Sequence, residues 1–420
     1  MTIGSTDRRW VEDFEVYTEE EQILIDEVGI MEANSVWYDG LVSKELQLIG
    51  IPSPIESVIT AQQYQLDLER TVENAGGFST KAPDGKDRAT GLILAYQQVE
   101  PKLGIVTHYK NISRASWGTL CETAKLNGSA LTRMAPLQLS SCLNSGLDVA
   151  RGQTLLLVRF DKVMGMHSDS DSGYCIMPIS ELLNIARHNL EDKFGAVEFV
   201  QGRHSNVYTT ALWQLPDAQG VIIDKYKDAL KNAASHIHPV NFMPAVRFSA
   251  SDTARSSAVM KPMFLKSNGT AFTFGGDIAV KHERKRTGIY GVDLFEQETS
   301  GLFAKFDETV EAIKKMAETD IYNPVNCFVG IINYLNRGNS VIKRQYADAA
   351  RIEVERSTIN YPVMSMHDIY LYMSECITAA RLDGVKNTIK IEEALAKVLT
   401  MNWRDFDVGG TVAWGEKGAI

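Results

Sequence analysis

Two hydrophobic periods succeed one another along this chain. From Gly91 onward, short apolar and β-branched runs recur: GLILAYQQV, LGIVTHY, TLLLVRF, AVEFV, VYTTALWQL and GVIID, then PAVRFSAS, VMKPMFLK and TAFTFGGDIAVKHERK. Runs of this kind suit a pleated, half-buried surface and predict strands. Between some of them, ISELLNIARHNLEDKF and DKYKDALKNAA repeat apolar residues every three or four positions, which predicts helices. After Gly301 the helical period takes over. In LFAKFDETVEAIKKMAE, Phe303, Phe306, Val310, Ile313 and Ala317 share a face, and Lys314 and Lys315 complement the carboxyl end of the dipole. NCFVGIINYL, SVIKRQYADAARIEVERS, MHDIYLYMSECITAARL and IEEALAKVL continue the pattern, with Ser365 and Asp368 at capping-box spacing.

The amino-terminal part reads differently. Thr18 followed by Glu19, Glu20 and Glu21 predicts a helix start, with carboxylates where the dipole favours them. ITAQQYQLDLERTVENA predicts another helix, and the Pro-Asp-Gly of GGFSTKAPDGKD a turn. The order of elements therefore predicts an α+β fold. An acidic, mostly helical region (1–88) precedes an α+β domain (89–295) with a mixed, largely antiparallel sheet. A helical subdomain (296–420) follows and ends in the Gly-rich aromatic tail VGGTVAWGEKGAI. A chain of 420 residues exceeds what one hydrophobic core usually serves, so more than one substructure is expected.

Bulk composition narrows the setting. Hydrophobic residues make up 44% and charged residues 23%, values of a folded globular protein. No apolar run approaches the roughly 18 residues of a membrane span, and MTIGSTDRRWVEDFE lacks the apolar stretch of a signal peptide, so a cytoplasmic protein is expected. The cysteines, Cys121, Cys142, Cys175, Cys327 and Cys376, are odd in number and form no CxxC pair. They read as reduced core thiols.

Charge singles out one segment. The chain carries a net -10, and residues 1–100 are its most acidic part, yet Val240 to Tyr290 is basic. Arg247, Arg255, Lys261, Lys266, Lys281, Arg284, Lys285 and Arg286 stand there against only Asp252, Asp277 and Glu283. Cations concentrated in an acidic background are the usual footprint of an anionic partner, nucleic acid first. Phe248, Phe264, Phe272 and Phe274 are interleaved with them. Such a strand face could track phosphates while rings stack on bases. Phe272 and Phe274 share parity, which points both to a core and leaves the cations on the other side.

Other candidate chemistry is sparser. Asp277, Glu283 and Lys285 would share one face of an unbroken strand and are the residue types of a magnesium-dependent nuclease. His236 and His238 form an HxH with no further ligand nearby in sequence, which reads as a surface or capping pair. MHSDSDSGY, with His167, Asp169 and Asp171, spaces ligands at alternate positions but lacks the later Glu of a calcium loop. GxxxxGK[ST], GxGxxG before a helix and GxSxG are absent, so nucleotide hydrolysis, dinucleotide chemistry and serine hydrolysis lack their usual signatures. The expectation is a binding protein without a cofactor or resident metal.

LGIVTHYKNIS, VRFSASDTARSSAVM, MFLKSNGTAFTF, IAVKHERK and the late helix DIYLYMSECIT together resemble a prokaryotic family of phage and plasmid-like proteins of unknown function, over residues 90–405. Ser267, Asn268 and Gly269 stand where that family has a Cys-Asn pair. The resemblance implies a place in phage or mobile-element DNA metabolism. Three readings follow in order. The first is an oligomeric protein binding single-stranded nucleic acid, comparable in role to Red-beta and Erf annealing proteins, with the eight cations on phosphates. The second is a self-assembling shell or lattice protein in which the acidic arm meets the basic segment of a neighbouring copy. The third is the metal nuclease.

Overall fold

The computed structural model describes residues 14–50 and 91–415, apart from Asp161, Asn232, Ala234, residues 238–240, residues 286–287 and Asn339. The helix expected over 59–75, the turn and boundary before residue 89, Arg286, His238 and the last residues of the tail lie outside the described residues.

The fold is α+β and is built on two sheets. The first has six strands in the order β2 (Ser35–Val42), β6 (Gln153–Arg159), β7 (Lys162–Ser168), β5 (Gly104–Ile112), β4 (Leu92–Glu100) and β3 (Gln47–Gly50). Its pairs are antiparallel except β5 with β7. Helices α2 (Trp117–Thr123) and α3 (Pro136–Leu147) pack on it, and Leu92, Leu94, Tyr96, Leu120, Leu143, Leu156 and Val163 form this lobe's core.

The second sheet has seven strands. Its main path runs β1 (Glu15–Thr18), β8 (Glu198–Ser205), β9 (Thr209–Gln214), β10 (Met243–Ala250), β11 (Ala258–Leu265), β12 (Ala271–Phe272), with β13 (Ile278–Val280) also on β11. All its pairings are antiparallel. Strand alternation separates its two faces. Val246, Phe248 and Ala250 enter the large core with Trp213, Phe264 and Phe272, whereas Ala245 packs on the opposite face with Leu212 and Met263.

Helices cover the core face. They are α1 (Glu21–Ala33), α4 (Ile179–Phe194), α5 (Gln219–Leu230), α6 (Gly291–Thr299), α7 (Leu302–Ala317), α8 (Pro324–Leu335), α9 (Arg344–Thr358) and α10 (Met366–Leu382). The last four of this set realise the expected carboxyl-terminal helical region, tied in by the short pair β14 (Asp320–Ile321) and β15 (Met364–Ser365). A further helix, α11 (Ile389–Lys397), brings Glu392 to Arg247, a residue on the opposite sheet face from Phe248. Among the described residues, no helix is long and apolar enough to cross a membrane.

Four expectations change. GVIID is not a strand: it opens α5, because Ile222, Ile223, Tyr226 and Leu230 form one buried helical stripe continuous with DKYKDAL. A short apolar run fits either period, and here the longer helical one prevails. Residues 14–50 are not a separate helical region, since β1 joins the second sheet while β2 and β3 join the first. Thr18 does not cap α1 directly; its hydroxyl accepts from the Glu20 amide at 2.9 Å, one turn of chain before the helix begins at Glu21. Finally, TAFTFGGDIAVKHERK breaks at Gly275 and Gly276, whose φ of 96° and 78° are left-handed, so it supplies two short strands rather than one.

Candidate nucleic-acid interface and the contacts of its cations

The basic segment divides into cations that fasten the fold and cations that stay at the surface. Arg247 projects from β10 on the face opposite Phe248 and forms an ion pair with Glu392 of α11, both side chains buried. A small cleft of about 40 Å³ lies there, lined among others by Tyr208, Ser249, Lys261, Glu392 and Glu393. Its two cations face two carboxylates, so the cleft is electrically balanced. It has no excess field for an anion.

Lys266 reaches α10, where its ammonium meets Glu375 and lies 3.3 Å from the Leu371 carbonyl. Burial pulls this ammonium below its ordinary pKa, against the opposing pull of Glu375. Arg284 holds Asp169 at 2.8 Å. Arg255 places one terminal nitrogen 3.4 Å from the carbonyls of Arg114 and Ala115. The last two contacts join the second lobe to the first.

The segment's exposed cations, Arg255 among them, gather at one end of the second sheet. Ala258, the first residue of β11, pairs with Val280 of β13. Arg255, just before β11, and Lys281, just after β13, therefore flank the same sheet end. Arg255, Lys281 and Lys285 are exposed, as is Arg114, whose carbonyl Arg255 touches. The nearest acid to Lys281 is Glu283, 3.6 Å away. Backbone bonds from Arg284 to Gly173 (2.8 Å) and from Cys175 to His282 (3.1 Å) hold this strip on the 173–175 loop.

The aromatic half of the expected interface is elsewhere. Phe248, Phe264, Phe272 and Phe274 are all buried: the last three pack on one another, Phe264 and Phe274 also meet Tyr226, and Phe248 meets Phe295. Strand parity had pointed Phe272 and Phe274 to the core, and the same holds for the other two. None of the four rings can stack on a base.

The nuclease geometry does not form. Because β13 spans only Ile278–Val280, Asp277 precedes it while Glu283 and Lys285 follow it, all three exposed. Among the described residues, no group of three His, Cys, Asp or Glu could hold a metal ion. Asp169 is likewise committed, accepting from the Gly40 amide at 2.8 Å as well as from Arg284.

Two polar clusters escaped sequence reasoning. Asp368 is fully buried at the start of α10 and accepts from Ser235 Oγ (2.6 Å), the His236 amide (3.0 Å) and His367 Nδ1 (3.0 Å). His236 Nδ1 lies 2.8 Å from its other oxygen, and Tyr226 and His367 Nε2 are 2.7 Å apart. Burial alone would push this carboxyl up, but the hydrogen bonds from His236, His367 and Ser235 hold it well below the usual carboxylate range. Although Ser, His and Asp meet here, the serine bonds the carboxylate directly. In a hydrolytic triad the histidine separates them, and the nucleophile is open to substrate. This cluster is a clamp between the 235–237 loop and α10. The sequence signal, Ser365 with Asp368, is real as a cap, since the Ser365 hydroxyl accepts from the Asp368 amide at 3.1 Å, but the side chain of Asp368 turns inward instead of back to the helix start.

The second cluster is a ring column at the lobe junction. His167 of β7 stacks on Tyr174, with centroids 3.9 Å apart, and Tyr174 stacks on His282 at 5.0 Å. Trp37 of β2 packs against Tyr174 and His167. Beside it Arg159 of the first lobe forms a buried ion pair with Asp252 of the second.

No family model, no curated protein and no solved structure matches this chain.

Proposed function

We propose that this protein binds single-stranded nucleic acid without catalysing a reaction on it, through the cationic rim of Arg255, Lys281 and Lys285 at the lobe junction. The observation that carries the reading is the gathering of these exposed cations at one end of the second sheet, beside Arg114, in a protein that is otherwise acidic. Phosphate contacts of this kind are sequence-independent and lose strength as salt rises, because binding releases condensed counterions. The buried aromatics remove base stacking by this segment, so the interaction is chiefly with the backbone. A strand held by its phosphates keeps its bases available for pairing, which suits an annealing role in phage or mobile-element recombination, the setting implied by the resemblance at LGIVTHYKNIS and VRFSASDTARSSAVM. Annealing requires no nucleotide hydrolysis.

Fluorescence anisotropy of a labelled single-stranded oligonucleotide, titrated with protein from low to moderate salt, tests this reading. Binding at low salt with a steep decline is expected. No binding at low salt overturns it.

A second reading, self-assembly into a lattice or shell, is favoured by one feature. Strands β4 and β5 run on past β3, which pairs only with Leu92 to Ala95, and the hairpin end exposes Val99 (81%), Leu103 (72%) and Ile105 (70%). Apolar residues this exposed on a two-stranded ribbon suit contact with another copy. Closed shells or sheets by negative-stain microscopy without nucleic acid would favour this reading over the first.

A further inference from the structure

We propose that the column of His167, Tyr174 and His282 is an acid-released latch between the two lobes. Among the described residues the apolar cores of the lobes are separate, with a small patch around Ala115, Leu157 and Met164, with Trp37 and Val207, packed between them. Much of what remains at the seam is polar or aromatic. Tyr174 is tied to both lobes: its amide donates to the carbonyl of Ser168, the last residue of β7, at 2.9 Å, while its hydroxyl donates to the Asp252 carbonyl at 2.9 Å and the 173–175 loop is bonded to the backbone of His282 and Arg284 in the second lobe. His167 and Trp37 belong to the first sheet. The column that closes the seam is therefore Tyr174 held between His167 of the first lobe and His282 of the second.

Both imidazoles are built to be neutral. Nδ1 of His282 lies 3.2 Å from the Cys175 carbonyl, which fixes the proton there. Nε2 of His282 and Nε2 of His167 are buried without a hydrogen-bond partner. The backbone of Gly165 leaves room for the His167 ring, because a Cβ at 165 would stand 2.4 Å from that Nε2. A proton added at either Nε2 meets no acceptor.

The surrounding charges do not compensate. Asp252 is already paired with Arg159, Asp169 with Arg284, and the Cys175 thiol is pushed up by burial and stays neutral. The charge of Asp293 also pushes the Cys175 thiol up. Burial lowers His167 to about 4, against a favourable pull from Asp252 and with a further push from His282; burial also lowers His282. In an opened seam, water would solvate both rings and restore their ordinary affinity for protons. The closed seam is accordingly favoured at neutral pH, and its advantage falls as pH drops from the ordinary histidine value toward 4. Opening also releases Arg284 from Asp169 and Arg255 from the carbonyls of Arg114 and Ala115.

Small-angle X-ray scattering with hydrogen exchange on the full chain, from pH 7.5 down to 4.5, tests the latch. The radius of gyration should rise, and amides of β2, the 173–175 loop and 278–285 should lose protection while β10 and β6 keep theirs. The variant carrying His167→Phe and His282→Phe, which stacks but cannot take a proton, should remain closed over the same range. Should that variant fail to fold, proton NMR of the wild-type histidines decides: two rings that titrate only as the seam opens support the latch. Opening of the double variant at the wild-type pH, or titration of both rings at the ordinary value in a closed molecule, overturns it.

Discussion

Arg247 on β10 and Glu392 on α11 form a buried ion pair, so a cation from the most basic segment of the chain serves to dock a helix on a sheet. The pair accounts for why that charge survives in a buried setting. Removing one partner would leave the other buried without its ion-pair partner.

Arg247→Ala or Glu392→Ala should each lower stability by about 3–5 kcal/mol, whereas replacing both with Leu and Met should cost far less. Urea unfolding of the two single variants and the double variant checks this. Equal losses in all three would mean that the pair contributes packing alone.

Asp368 makes a comparable case on the other face. Asp368→Asn keeps the shape but turns an amide group toward donors from Ser235, His236 and His367. A loss of about 2–3 kcal/mol is expected, read as a lower melting temperature, together with faster exchange in the 235–237 loop. Ser235→Ala should be milder, because the donors from His236 and His367 remain.

His167 gives the pH dependence a sign. Its folded-state pKa, about 4, lies below the ordinary 6.5, so the unfolded chain binds the proton more readily in between. The associated stability, on the order of 3 kcal/mol, is complete above pH 6.5 and is lost as pH falls to 4. Denaturant midpoints of the wild type should fall across that window, and those of His167→Phe should fall less.

Much of the fold was legible in the hydrophobic period. ISELLNIARHNLEDKF coincides with α4, and GLILAYQQV, TLLLVRF, PAVRFSAS and VMKPMFLK fall on β4, β6, β10 and β11. Strands with less regular apolar content, such as KVMGMHS of β7 and QLIG of β3, were not legible, because tertiary pairing rather than local pattern makes them strands. The candidate site was legible only as a charge excess. Sequence order cannot reveal that Arg247 meets Glu392, that Lys266 meets Glu375, or that Arg284 meets Asp169, since each partner lies on a distant element. The buried clusters around Asp368 and Tyr174 were hidden for the same reason. Their members are scattered and individually ordinary.

Arg255, Lys281 and Lys285 carry the functional claim, and each is exposed, so their neutral variants should fold normally. The decisive measurement is the salt dependence of single-stranded DNA binding for the wild type and for Arg255→Gln, Lys281→Gln and Lys285→Gln combined. With single strands releasing roughly 0.7 counterion per neutralised phosphate, the slope of log affinity against log salt should shrink by about 2, with at most a small drop in melting temperature from the lost Arg255 contact to the first lobe. An unchanged slope and affinity in the triple variant would contradict the cationic rim as the binding surface.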